Sequence, residues 1–225
     1  RPPHQQDEIL GCDQIARKGQ IGLILRAEAP RCTNERPGLG LSSPVVFHFL
    51  EEYVMLKVGD KLPSGTLSEF IEVEGNGCSL GPNAFDVLNL TAGKTIVVFA
   101  LPGAYTPTCS AKHVPGFVEQ ADALSAAGVD EIWCVSVNDA FVMGAWGRDQ
   151  ITAGKVRMMA DGSADFTKAV GLTLDLGARG MGLRSQRYSM LVIDGVVKAL
   201  NIEGPGKFEV SDAQTMLGQV KAQIA

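Results

Sequence analysis

The sequence predicts an α/β fold in which helices flank a mixed central sheet, and three features carry that prediction. Lys94 to Leu101 is β-branched and apolar almost throughout, which suits a strand buried on both faces. Helical and strand patterns then alternate, the order that builds parallel strands with helical crossovers. Near the C-terminus Asp194-Gly195 joins two apolar segments, the strongest short-range hairpin signal in the chain, and an amphipathic helix follows.

Residues 1 to about 54 mix Pro2-Pro3, Pro30, Pro37, Gly38, Gly40 and Pro44 with scattered charges and one short apolar run, Ile21 to Leu25. Such a segment predicts no stable fold. Asp7, Glu8 and Asp13 argue against a secretory signal or an acid-poor presequence. Met55-Leu56-Lys57-Val58-Gly59-Asp60 reads as the opening of a compact domain over residues 55–225. Residues 1–54 are then expected to be a leader or non-native extension, the alternative being a genuine disordered tail.

Thr66 to Val73 is strand-like, Glu74-Gly75-Asn76-Gly77 offers a hairpin turn, and Asp86 to Leu90 reads as a further short strand. Gly93-Lys94-Thr95 is like the end of a phosphate-binding loop, but that motif needs a Gly at Leu88 and a helix where this chain predicts a strand, so nucleotide binding is rejected. Pro102-Gly103 ends the buried strand. From Cys109 onward Val114, Phe117, Val118, Ala121 and Leu124 recur at helical spacing until Gly128 caps the helix. Strand, tight loop and helix thus deliver one thiol to a helix start, where unpaired N–H groups and the helix dipole favour the reactive thiolate.

Glu131 to Val137 is a second buried strand, and Asn138-Asp139 caps a helix over Ala140 to Ile151. Val156 to Ala160 reads as strand, Ala164 to Val170 as a short helix, and the glycine-rich span Gly171 to Gly182 as loop or broken helix. Tyr188 to Ile193 and Val196 to Ile202 form the hairpin. Ser211 to Ile224 closes the chain as a helix capped by Ser211 or Asp212, with Met216, Leu217 and Val220 on one face. This is the order of elements in a thioredoxin-like fold.

With 225 residues, 45% of them apolar, the chain can bury one sizeable core. A net charge of −5 and a pI near 5.2 leave no electrostatic footprint for nucleic acid or an acidic membrane surface. No apolar run approaches the roughly 20 residues that span a bilayer, which predicts a soluble protein. Five cysteines without regular spacing do not form a disulfide framework, so a reducing, cytoplasmic compartment is the simpler expectation. There is no CxxC and no HExxH, and no metal or other cofactor is expected.

Pro102-x-x-x-Thr106-x-x-Cys109 resembles the active-site motif of peroxiredoxins. The blocks Pro-Gly-Ala-Tyr-Thr-Pro-Thr-Cys-Ser, His113-Val-Pro-Gly-Phe117, Ser136-Val-Asn-Asp-Ala-Phe141 and Trp146-Gly-Arg148 resemble the peroxiredoxin 5 (type II) subfamily in particular, from about Met55 to the C-terminus. The resemblance implies a thiol-dependent peroxidase for hydrogen peroxide and small organic hydroperoxides, with Cys109 as the peroxidatic nucleophile passing through a sulfenic acid. Thr106 would aim its hydroxyl at the thiolate and the attacked oxygen, and Pro102 would shield the thiolate from water. Arg187, directly before the Tyr188 strand, would supply the fixed positive charge, with Arg184 and Arg148 as competitors.

His113 stands one helical turn after Cys109 and leaves two readings open, a Cys-His nucleophile pair or a polar contact that supports the loop. The animal-type resolving cysteine is missing, because that loop reads Gly206-Lys207-Phe208-Glu209-Val210-Ser211. Plant-type members resemble this chain at Cys134, which could be a resolving cysteine or a small core residue. A disulfide needs the two Cα atoms within about 7 Å, so a mid-strand Cys134 requires the Cys109 helix to unwind first. Otherwise an external thiol reduces the sulfenic acid, glutathione with glutaredoxin being favoured and thioredoxin second. Cys12, Cys32 and Cys78 have no assigned role. A homodimer is expected from the resemblance, and a redox sensor without efficient turnover is the alternative of a different class.

Overall fold

The computed structural model describes residues 55–72 and 80–224. The expected leader over 1–54 with Cys12 and Cys32, the turn Glu74 to Gly77, and Cys78 lie outside the described residues. In chain order the elements are β1 (Thr66–Ile71), β2 (Gly81–Asp86), α1 (Val87–Thr91) and β3 (Thr95–Leu101). A π-type turn (Cys109–His113) runs into α2 (Val114–Ala126), followed by β4 (Glu131–Ser136), α3 (Ala140–Asp149), β5 (Arg157–Ala160) and α4 (Asp165–Ala169). Then come β6 (Thr173–Leu176), β7 (Gly182–Ser185), β8 (Tyr188–Ile193), β9 (Val196–Ile202) and α5 (Ala213–Ile224).

Seven strands form one sheet in the order β2-β1-β5-β4-β3-β8-β9. The centre is parallel, β3 with β4 and β4 with β5, while β8 runs antiparallel to β3 and β9 to β8. This is the expected mixed sheet, and β3 shows why it must be central. Val97, Phe99 and Leu101 enter one core with Cys109, Phe117, Trp146 and Met216, which α2, α3 and α5 cover. Ile96, Val98 and Ala100 enter the other core with Val87, Phe166 and Met190, beneath α1 and α4. Alternating residues therefore feed opposite faces, each large apolar side chain so buried contributing about 1.5–3 kcal/mol.

Two expectations are corrected. Asp86 to Leu90 is not a strand: β2 ends at Asp86, whose Oδ1 accepts the Asn89 N–H at 2.8 Å and so caps α1. Val87 and Thr91, one turn apart, then both face inward. The Gly171 to Gly182 span is only in part the expected loop or broken helix: Thr173–Leu176 is strand β6, which pairs with β7 as a separate two-stranded sheet, and a short 3-10 helix at Gly177–Arg179 lies between them. Its glycines serve the turn between these strands, Gly180 and Gly182 having φ of +71° and +67°. Their density hid the short apolar alternation Thr173-Leu174-Asp175-Leu176 on one side of that turn.

The other element expectations hold to within a residue or two. Asp194 (φ +49°) and Gly195 (φ +71°) form the left-handed turn of the β8–β9 hairpin. Asp212, rather than Ser211, caps α5 through its Oδ1 and the Thr215 N–H at 3.0 Å. Among the described residues no helix is long and apolar enough to cross a membrane.

Candidate active site

The parallel strand β3 ends at Leu101, and the loop Pro102 to Thr106 turns the chain into a helix that begins at Pro107. Cys109 is therefore in the first helical turn, fully buried, at the start of the π-type turn closed by the Val114 N–H on the Cys109 carbonyl. Such turns widen a helix locally and leave it less tightly bonded. Tyr105 is held at φ +59°, a left-handed backbone that a bulky residue adopts only under constraint. Its hydroxyl donates to Asp149 Oδ2 at 2.9 Å, and the Ala104 N–H donates to Asn138 Oδ1 at 3.0 Å, so α3 and the end of β4 brace the loop. Trp146 of α3 also donates its indole N–H to Ser110 Oγ at 3.1 Å, beside the cysteine.

Because β8 is antiparallel to β3, with Ala100 opposite Tyr188, the residue just before β8 sits next to the end of β3. That residue is Arg187. Its Nη2 donates toward Cys109 Sγ at 3.5 Å, and its Nη1 lies 3.1 Å from His113 Nδ1. Of the three arginines considered, Arg187 alone contacts the thiol. Arg184 braces the loop instead, its Nη1 reaching the Pro102 carbonyl and Asn138 Oδ1, each at 3.4 Å, and its Nε the Met181 carbonyl at 2.8 Å. Arg148 is exposed and paired with Glu72.

His113 is 1% exposed. A guanidinium can only donate, so Nδ1 accepts from Arg187, and Nε2 carries the proton it donates to the Ser211 carbonyl at 3.1 Å. Burial first, and the Arg187 charge second, push the imidazole down from 6.5 to about 3, so it is neutral near pH 7. Of the two readings of His113, the geometry supports the polar contact: its lone pair aims Arg187, and both nitrogens are occupied.

Thr106 donates its hydroxyl proton to the Gly103 carbonyl at 2.8 Å, which leaves the hydroxyl oxygen's lone pairs available to accept. Pro102 follows β3 directly, half-buried, where the strand gives way to the loop. Cys134 is fully buried in mid-β4, between Phe99 of β3 and Met158 of β5, in the same apolar core as Cys109. Burial, and after it the neighbouring Cys109, push its thiol well above the ordinary value.

Sequence reasoning missed two contributors. Phe208 lies with its ring 5.0 Å from that of His113 and 5.6 Å from Arg187 Cζ, a cation–π distance. Glu203 follows β9 and accepts hydrogen bonds from the segment that carries Phe208 and Ser211. No local motif marks either residue; only Glu203's place at a strand end, before a loop and helix, was legible. Among the described residues no cluster of His, Cys, Asp and Glu could hold a metal ion.

A buried thiol in the first turn of a helix, held by an arginine where the interior strands β3 and β8 meet in a thioredoxin-like sheet, is the arrangement of a thiol-chemistry protein, and residues 57–217 match the Redoxin family model. The chain is 49% identical over 166 residues to Peroxiredoxin-2E-2, chloroplastic, of Oryza sativa subsp. japonica, covering 72% of this chain and 71% of that protein. Among solved structures, reduced Prx3 of Vibrio vulnificus in complex with H2O2 superposes with a TM-score of 0.68 at 51% identity, covering 74% of this chain and 99% of that one. A Burkholderia cenocepacia chain described as a candidate thioredoxin reductase gives a TM-score of 0.73 at 67% identity, covering 73% and 98%. The chain belongs to the peroxiredoxins of the Redoxin family, whose activity is that of thiol peroxidases.

Proposed function

We propose that Cys109 is the peroxidatic cysteine of a type II peroxiredoxin that reduces hydrogen peroxide and small organic hydroperoxides. The contact between Arg187 Nη2 and Cys109 Sγ carries this reading. The Cys109 thiolate attacks one peroxide oxygen; an S–O bond forms as the O–O bond breaks, giving the sulfenic acid. The departing oxygen leaves with the bonding electron pair and takes a proton to become water or an alcohol, sulfur being oxidised by two electrons as the peroxide is reduced. Arg187 stabilises charge on sulfur before the reaction and on the departing oxygen during it. The Thr106 oxygen, its proton engaged with Gly103, accepts from the peroxide O–H and so orients the attacked oxygen. Pro102 keeps bulk water from the thiolate, and the burial of Cys109 favours small hydroperoxides over bulky ones.

The sulfenic acid is recycled by glutathione with glutaredoxin or by thioredoxin. No protein thiol reaches a fully buried Sγ directly, so the π-type turn opens before reduction, and Cys134 can serve as resolving cysteine only in that opened state. The name of the Burkholderia neighbour suggests a disulfide reductase, but this sequence has no CxxC pair for that chemistry. A homodimer in the cytoplasm is the proposed setting, the compartment resting on cysteine usage and the dimer on the resemblance to type II members; sedimentation of the purified chain tests the dimer.

The deciding experiment adds one equivalent of hydrogen peroxide to fully reduced protein with a sulfenic-acid trap present and maps the peptides without reduction. Trapped Cys109 supports one-cysteine chemistry completed by an external thiol, and a Cys109–Cys134 disulfide supports an internal resolver. Oxidation of other thiols with Cys109 left reduced overturns the reading.

A further inference from the structure

Glu203 lies at the far end of a chain of contacts that begins at Cys109. It is 8% exposed, and its Oε1 alone accepts the backbone N–H groups of Glu209, Val210 and Ser211, each at 2.8 Å, and the Ser211 hydroxyl at 2.9 Å. Successive N–H groups converging on one oxygen form an anion-binding nest, filled here by a side chain of the same molecule. Burial opposes the charge, but these hydrogen bonds outweigh it and hold the carboxyl below its ordinary value.

The segment gathered by this carboxylate makes two contacts with the site. The Ser211 carbonyl takes the Nε2 proton of His113, and the Phe208 ring packs against both His113 and the Arg187 guanidinium. The main chain of Glu203 adds a third connection, its N–H donating to the Arg187 carbonyl at 2.9 Å. Glu203 thus reaches Arg187 at both ends, directly at its backbone and through the loop and His113 at its guanidinium.

We propose that Glu203 is a positioning residue for the reacting thiol: its carboxylate fixes residues 208–211, the Ser211 carbonyl fixes His113 with the proton on Nε2, and the Nδ1 lone pair then holds Arg187 on Cys109. The logic is that of a tautomer. Without the Ser211 carbonyl the buried Nε2–H loses its acceptor, and the guanidinium is then all that opposes moving the proton to Nδ1. A proton on Nδ1 faces the guanidinium N–H groups and drives Arg187 off the sulfur. This inference rests on the reading of Cys109 as the reacting thiol.

The test uses full-length reduced protein and two readouts. Nitrogen-15 NMR of the wild type reads where the His113 proton sits, and stopped-flow fluorescence with hydrogen peroxide reads the single-turnover rate of Cys109 oxidation. The wild type is expected to show neutral His113 with the proton on Nε2. Glu203→Ala is expected to oxidise about tenfold more slowly, the scale on which loosening a supporting contact acts. In a His113→Phe background, which keeps the ring packing, Glu203→Ala is expected to cost nothing further, since residues acting through one another are non-additive. Equal losses in both backgrounds, no loss in either, or a wild-type proton on Nδ1 overturns the proposal. If Glu203→Ala does not fold, Glu203→Gln, isosteric and uncharged, takes its place, and the wild-type NMR result stands without any variant. Trapping separates the two readings: wild-type Cys109 that forms no sulfenic acid sinks the parent reading, whereas trapped Cys109 with rates indifferent to Glu203 sinks this one alone.

Discussion

Arg187 Nη2 lies 3.5 Å from Cys109 Sγ although 78 residues of chain separate them, and the register of β3 against β8 is what closes that gap. On the proposed reading of Cys109, a guanidinium at this distance acts on charge that shifts from sulfur to the departing oxygen. Losing a preorganised donor of this kind costs about 100-fold in rate or more. Arg187→Gln is therefore expected to slow hydrogen peroxide reduction about 100-fold in a stopped-flow assay. Arg187→Lys, which keeps the charge but not the fork that also grips His113, is expected to fall between the variant and the wild type.

His113 links stability to acid. Its pKa is 6.5 when unperturbed and about 3 in the fold, so between these values the unfolded chain binds a proton that the folded chain refuses. The stability contributed by keeping the ring neutral is complete above 6.5 and is lost as pH falls toward about 3. Thermal melts from about pH 7 down to about pH 4 are expected to show the wild type losing stability faster than His113→Phe, which has no such proton to refuse. Parallel melting curves would contradict the buried, neutral ring.

Gly103 sits under Arg184. A Cβ there would stand 2.9 Å from Arg184 Nη1 and 3.4 Å from Thr106 Cγ2. The arginine end can move, but only by leaving the Pro102 carbonyl and Asn138. Gly103→Ala is expected to fold and to lose about tenfold in peroxide rate through a loosened loop. A rate equal to wild type would show that this bracing is unimportant.

Cys134 is a fully buried, free thiol. Burial opposes its thiolate, so iodoacetamide is expected to label no Cys134 in native reduced protein, as read by peptide mass spectrometry. Denaturant should expose it fully. Labelling in the native reduced state would mean that β4 opens without help from the cysteine turn.

Gly144 marks where α3 crosses β1. A Cβ there would meet Phe70 Cβ at 2.7 Å, an atom too near the backbone to move aside. The gain in helix propensity of about 1 kcal/mol cannot offset an overlap of this kind, which costs about 1–3 kcal/mol. Gly144→Ala is expected to lower the unfolding free energy by about 1 kcal/mol in urea titration; a stabilised variant would show that β1 yields.

The parts of the fold legible in the sequence were those with a local physical signature. The β8–β9 hairpin was readable because Asp194-Gly195 tolerates two left-handed residues in succession, and β3 because an unbroken apolar strand has to lie between two cores. The β6–β7 pair was lost because glycines that serve a turn look the same as glycines that break a helix. Asp86 misled because a residue ending one strand was also the cap of the next helix, and a window of five residues cannot separate Val and Leu in a strand from Val and Leu in one helical turn.

The site divides along the same line. The place of Cys109 was decided by adjacent residues: a strand that stops at Pro102, a short loop and a helix that starts at once. Those are near-neighbour constraints, and sequence alone determined them. The resemblance already favoured Arg187 over Arg184 and Arg148, but its contact with the thiol, the proton position on His113, and the part played by Glu203 and Phe208 were decided only in three dimensions. Each depends on which strand lies beside which and in what register, and no local periodicity encodes a contact between the end of one strand and the beginning of another far along the chain.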